Sequence, residues 1–140
     1  MTTVIDTNVL VALWDADNTL NSVARDGLDA AFQQGSLVIP APVYAELMAS
    51  PDRSKTFLDS FFQDTGISVE WTLDEAIWRA AGLAFQHYTA RRRKQRDSGP
   101  RRILADFLIG AYARERRCRL LTLDDHFYRI NFPDLAIAKV

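Results

Sequence analysis

One cysteine, Cys118, stands in a chain of 140 residues. That excludes an intramolecular disulfide framework and fits a reducing compartment, the cytoplasm. Histidine is nearly as scarce, and His87, His126 and Cys118 form no cluster with zinc-ligand spacing. Long apolar runs are missing too: none approaches the roughly 20 residues that a membrane-spanning helix needs. The opening Met1-Thr2-Thr3-Val4-Ile5-Asp6 has neither the basic start nor the long apolar core of a secretory signal. Internal repeats and low-complexity tracts are absent as well, which leaves no sign of a solenoid or a linker. The expectation is a soluble cytoplasmic protein with no membrane partner.

What is present suits a single domain over residues 1–140, because 48% hydrophobic content at this length can build a real core. The net charge of −1 conceals an uneven distribution. Residues 91–119 hold eleven Arg or Lys against Asp97, Asp106 and Glu115, a balance of +8, and the rest of the chain therefore carries −9.

Punctuation by Gly and Pro divides the chain. Thr3–Asp6 predicts a first strand, and a helix-rich stretch from about Asn8 to Gln34 stops at Gly35. A second strand, Leu37–Ile39, ends at Pro40 and Pro42, which open a helix through about Ala49. A further helix over Arg53–Asp64 is closed by Gly66 and followed by a strand at Ile67–Glu70. Thr72-Leu73-Asp74-Glu75 reads as a capping box opening a long helix that reaches about Tyr88. Arg91–Arg102, interrupted by Ser98-Gly99-Pro100, reads as a frayed helix end or a mobile loop. A last predicted helix carries Asp106 to about Arg116, with strands at Arg119–Leu123 and Ile137–Val140. Short apolar strands alternating with helices predict an α/β fold whose central, mainly parallel sheet of four to five strands is covered on both faces. In such sheets ligands bind in the crevice at the strand carboxyl ends.

Four acids occupy places where an acid is costly. Asp6 ends the run Thr3-Val4-Ile5, and Asp124 follows Leu120-Leu121-Thr122-Leu123. Asp106 has Ile103, Ile109 and Gly110 at helical spacing, and Glu46 has Val43 and Ala49. A buried carboxylate loses several kcal/mol of hydration unless it is paired or binds a metal. Four of them within ~5 Å would repel at roughly 3 kcal/mol per pair, so such a pocket raises pKa values or takes up cations. Oxygen-only ligation suits Mg²⁺ or Mn²⁺, and phosphodiester hydrolysis is the matching reaction class.

Val4-Ile5-Asp6-Thr7-Asn8-Val9-Leu10, Glu46, Asp106 and Leu121-Thr122-Leu123-Asp124-Asp125-His126-Phe127 resemble, in order, the motifs of the PIN-domain family, and within it the VapC-type toxins. The resemblance spans nearly the whole chain. It implies a compact α/β/α sandwich and a Mg²⁺- or Mn²⁺-dependent endoribonuclease that is the toxin of a type II toxin–antitoxin pair. It further implies Asp6, Glu46, Asp106 and Asp124 as catalytic metal ligands or their supporting carboxylates, with Thr7, Asn8 and Thr122 as polar support. A small antitoxin partner and a homodimer are implied in the same way.

Two features depart from the family pattern. Either acid of the Asp124-Asp125 pair could face the site; Asp124 directly follows the strand and sits three residues before Phe127, whereas Asp125 suits the start of a helical turn. The second departure is the Arg-rich insertion before Asp106. Arg91, Arg92, Arg93, Lys94, Arg96, Arg101 and Arg102 suit phosphate neutralisation without base reading, docking of an acidic antitoxin segment, or plain solvation.

Each acid also has a plain structural use, as a helix cap, a solvated helix residue or a turn residue. His87 and His126 are most simply structural, and Trp14, Trp71, Trp78 and Phe61-Phe62 are most simply core or dimer-interface residues. Two other functions stay open: a non-catalytic RNA-binding or scaffold module of the same fold, and a haloacid-dehalogenase-like phosphatase. The phosphatase fits poorly, because its second acid would fall on Asn8 and Lys55 is ill placed for a phosphate lysine.

Overall fold

The computed structural model describes residues 1–51, 53–96 and 103–138. Five short strands form one all-parallel sheet: β1 (Thr3–Ile5), β2 (Leu37–Pro40), β3 (Ser68–Glu70), β4 (Arg119–Leu121) and β5 (Ile137–Ala138), in the spatial order β3-β2-β1-β4-β5. Val4 of β1 lies between Val38 and Leu120, and both it and Leu120 are fully buried. Continuous apolar strands of this kind are what a sheet covered on both faces requires. Its covering layers come from seven helices among the described residues, completing an α/β/α sandwich: α1 (Thr7–Leu13), α2 (Asn21–Gln34), α3 (Ala41–Met48), α4 (Lys55–Thr65), α5 (Glu75–Gln95), α6 (Leu104–Glu115) and α7 (Asp125–Asn131).

The strand order reverses direction at β1, since the chain passes from β1 to β2 and β3 on one side and returns to β4 and β5 on the other. The carboxyl ends of β1 and β4 therefore open at the topological switch point, where a crevice forms for ligands. Asp6 immediately follows β1, and Asp124 stands three residues beyond β4.

Several expected boundaries move for local reasons. The predicted helix-rich stretch is two helices, separated by turns in which Asp15 and Asn18 accept from backbone amides two residues on. The expected capping box is not formed. Asp74, not Thr72, is the N-cap of α5, and its carboxylate accepts the Ile77 amide at 3.1 Å. An ionised carboxylate next to the first turn also complements the helix dipole. The same helix continues well past Tyr88 to Gln95, so Arg91–Lys94 are helical, not a frayed end or loop. Cations in the last turn favour this extension, and Arg96 then closes it in the left-handed conformation at φ 52°. Ser98, Gly99, Pro100, Arg101 and Arg102 lie outside the described residues. Strand β4 stops at Leu121 rather than Leu123, and only Ile137–Ala138 of the last expected strand falls among the described residues.

Packing around α6 joins the helices to the sheet. Residues Phe107–Ala113 are all buried, and Gly110 presses its backbone against Phe132, whose ring is fully buried and covered by the Arg114 guanidinium at 5.2 Å. A Cβ built on Gly110 overlaps that ring. Alanine normally gains up to about 1 kcal/mol over glycine inside a helix, but overpacking a core costs about 1–3 kcal/mol. Overpacking wins here because the added Cβ meets the ring of Phe132, which is fully buried in the core. Gly110→Ala is expected to lower stability by about 1–2 kcal/mol, read as a lower urea midpoint at unchanged slope. An unchanged or higher midpoint would show that Phe132 can yield.

Candidate functional site

Local geometry aims each polar side chain at the switch point. The Asp6 amide donates to the Leu121 carbonyl at 2.9 Å, prolonging the β1–β4 pairing by one residue. The chain then turns into α1 with Asp6 as its N-cap. One carboxylate oxygen accepts the Thr7 amide and the other accepts the Thr122 hydroxyl, each at 2.8 Å. Thr122, itself fully buried, also accepts the Asp124 amide on the same hydroxyl at 3.0 Å. Thr7 donates its hydroxyl to Glu46 at 2.6 Å, which ties α3 to the start of α1. Asn8 accepts the Leu123 amide at 3.1 Å, holding the β4–α7 connection against α1. Thr7, Asn8 and Thr122 thus each fix one junction of the site.

Asp6 is only 4% exposed. Burial pushes its carboxyl up to about 6, against donors on Thr122, Tyr128 and Thr7 that pull it down, and the Glu46 charge adds to the rise. No positive charge is among these influences. Asp106 stands in the first turn of α6 and Asp124 is the N-cap of α7, both half-buried. Burial first, then the charges of Asp6, Asp106 and Asp124, push the Tyr128 hydroxyl far above its ordinary range. The three charges thus act on one side chain from three different elements. Glu46 approaches the cluster from the Asp6 side. Asp125, by contrast, is exposed and pairs with Arg129 at 3.2 Å, so of the two adjacent acids Asp124 is the one turned inward.

The four acids do not touch a common centre in this conformation. Among the described residues, no group of three or more His, Cys, Asp or Glu side chains is gathered tightly enough to hold a metal ion. The donor set still suits a hard divalent cation, because every donor is an oxygen and the most buried carboxylate has no cationic partner among the described residues.

The basic segment lies beside this region. Arg91 donates to Asn131 of α7, and Arg92 donates to the Tyr88 hydroxyl at 3.4 Å. The Tyr88 ring in turn packs against Phe107, next to Asp106, at 5.3 Å. The carboxyl end of α5 therefore abuts the helices that carry Asp106 and Asp124, and Arg93, Lys94 and Arg96 point outward from it into solvent. Arg101 and Arg102 lie outside the described residues. His126 is exposed, and His87 lines an open depression of about 650 Å³ with Phe85 and Arg93; neither acts on Asp6 or Tyr128. Trp14 packs edge-on to Phe57 and Phe61 and Phe62 is buried, but Trp71 and Trp78 are exposed and do not belong to the core.

Tyr128 is the residue that sequence reasoning missed. It follows Phe127 and has the look of core packing; only the three-dimensional fold lets the charges of Asp6, Asp106 and Asp124 act on its buried hydroxyl.

A family model described as the PIN domain matches residues 3–133. The search of curated proteins returns no match. Among solved structures, a toxin–antitoxin complex from Klebsiella pneumoniae aligns at 17% identity and TM-score 0.67, covering 97% of each chain. VapBC-1 from nontypeable Haemophilus influenzae aligns at 18% and 0.63, over 99% of this chain and 98% of that one. VapBC2 from Rickettsia felis, bound to a DNA fragment from its promoter, aligns at 16% and 0.62, over 98% and 97%. At these identities the structures attest the shared architecture, and the family model, which spans most of the chain, gives the membership: this chain belongs to the PIN domain family.

Proposed function

We propose that this chain is a divalent-metal-dependent endoribonuclease and the toxin of a type II toxin–antitoxin pair. The observation that carries the reading is Asp6, a carboxylate held almost out of solvent with hydrogen-bond donors but no cationic partner among the described residues, in a chain where the Asp6, Asp106 and Asp124 charges all act on the buried Tyr128. An isolated carboxylate is expensive to bury, and a cation offsets that cost. In this reading Asp6, Asp106 and Asp124, with Glu46, hold Mg²⁺ or Mn²⁺, and Thr7, Asn8 and Thr122 keep the acids oriented. The metal, when bound, supplies charge stabilisation at the phosphate and an activated water.

The chain's own contribution is positional. The Thr122 hydroxyl and Thr7 amide restrict the Asp6 carboxylate, and Asn8 restrains the loop that leads to Asp124. Arg93, Lys94 and Arg96 at the end of α5 offer cations to the RNA backbone next to the acids, binding phosphate without reading bases. Fold likeness to toxin–antitoxin complexes supports an antitoxin partner, and a homodimer and a cytoplasmic setting belong to the same proposal. Among the described residues, no helix is long and apolar enough to cross a membrane.

The test is mapping of new RNA 5′ ends across the transcriptome after brief induction without antitoxin, beside Asp106→Asn. A few sharp sites present with the wild type and absent with the variant are expected. Identical maps from two folded, expressed proteins would turn the reading towards a non-catalytic RNA-binding module.

A further inference from the structure

The cations at the end of α5 face two ways. Arg93, Lys94 and Arg96 are exposed, whereas Arg91 is half-buried and its guanidinium donates to Oδ1 of Asn131, the last residue of α7. Both ends of that amide are engaged, because Asn131 Nδ2 donates to the Phe127 carbonyl at 2.8 Å. The second bond fixes which atom of the amide meets Arg91. A cation beside the carboxyl end of a helix is also favoured by the helix dipole. Three residues earlier on α5, the Tyr88 ring meets Phe127 edge-on at 6.5 Å. A polar tie and an aromatic contact from one face of α5 therefore hold the same helix.

A helix of seven residues has little stability of its own and takes its place from what it packs against. At the start of α7, the Thr122 hydroxyl accepts the Asp124 amide at 3.0 Å and Asn8 accepts the Leu123 amide at 3.1 Å. At its end stands Arg91. Asp124 is the N-cap of α7, so the placement of this helix sets where the carboxylate stands. We infer that Arg91 is a positioning residue for Asp124, acting through Asn131 and α7, and not a phosphate-binding cation like Arg93, Lys94 and Arg96. The inference rests on the metal-dependent nuclease reading above and divides the basic run between two tasks. A guanidinium that turned to an RNA phosphate would give up its charge-assisted bond to Asn131, which is of the stronger kind. Positions far from the chemistry matter in this way because a shift of ~1 Å in a catalytic group costs about 100-fold in rate.

The experiment compares the full chain as wild type, Arg91→Gln, Asn131→Ala, the double variant and Arg93→Gln, each shown to be folded by thermal unfolding in EDTA. Two quantities are read: Mn²⁺ affinity, by calorimetric titration with MnCl₂, and the KCl dependence of binding to a fluorescein-labelled single-stranded RNA of mixed sequence in EDTA. Arg91→Gln and Asn131→Ala are each expected to weaken Mn²⁺ binding by about 10-fold, the low end of what residues supporting metal ligands contribute. The double variant should lose no more, because both changes remove one tie. The slope of log affinity against log salt should stay at the wild-type value for Arg91→Gln and shrink by about 1 for Arg93→Gln, since only a cation on phosphate releases counterions. A slope reduced as much by Arg91→Gln as by Arg93→Gln would overturn the inference. Wild-type Mn²⁺ affinity in both single variants, or additive losses in the double variant, would overturn it too, while leaving the metal reading intact. Absence of Mn²⁺ binding by the wild type would overturn the metal reading, and this inference with it.

Discussion

Asp6→Asn is expected to abolish RNA cleavage while making the metal-free protein more stable at neutral pH. The two effects come from one cause. In the folded chain the Asp6 carboxyl lies at about 6 against 3.8 for the free group, chiefly because burial disfavours its charged form. Between those two values the folded state binds more protons than the unfolded state, so stability falls as pH rises through that window. Below about pH 4 the penalty is absent. Above about pH 6 it is complete, and at 1.36 kcal/mol per pKa unit it reaches about 3 kcal/mol.

Asparagine removes the charge, keeps the shape and remains a good N-cap for α1. Unfolding by urea in EDTA is expected to show Asp6→Asn more stable than wild type by about 2–3 kcal/mol at pH 7.5, with the gap closing near pH 4. Cleavage should fall on the order of a thousandfold, because metal-ion catalysis supplies several kcal/mol and each 1.36 kcal/mol is tenfold. An asparagine variant less stable than wild type at pH 7.5 would sink the account of Asp6 as an unpaired buried charge. Saturating Mn²⁺ should reverse the order of stability, since it binds only the carboxylate form strongly.

Phe107→Ala carries the largest expected loss of stability. Its ring is fully buried, stacks on Phe85 at 4.6 Å with planes 7° apart, and meets Tyr88 and Phe127 at 5.3 Å each. These contacts bind α5, α6 and α7 into one unit. Truncation to alanine removes the transfer energy of the ring and leaves a cavity, costing about 3–5 kcal/mol. Against a typical total of about 5–15 kcal/mol, that is enough to leave a marginal domain partly unfolded at growth temperature. Phe107→Leu, which retains much of the volume, should lose clearly less. A drop below about 1.5 kcal/mol for the alanine variant would mean that the surrounding rings collapse into the gap.

The acids of the candidate site were legible because each violates its local pattern. Asp6 ends an apolar strand and Asp106 falls in an apolar helix, and period alone exposes both. Thr7, Asn8 and Thr122 could be named only through a resemblance; their partners show why those polar residues are there. The capping error at α5 arose because Thr72 and Asp74 are both good caps, and local propensity cannot rank them. The basic run was read as loop because of the glycine and proline that follow it. Yet a helix tolerates four cations at its carboxyl end, where the dipole favours them.

By itself the sequence determined the class of fold, the single acidic theme and the boundaries marked by Gly35, Pro40, Pro42 and Gly66. Period, punctuation and misplaced charge are local quantities, carried by neighbours within a few residues. The tertiary structure alone decided which acid of the Asp124-Asp125 pair turns inward, where the end of α5 lies relative to Asp106, and what surrounds the hydroxyl of Tyr128. Those depend on groups far apart in the chain, such as Asp6 and Thr122, meeting across β1 and β4, and no local pattern encodes such a meeting.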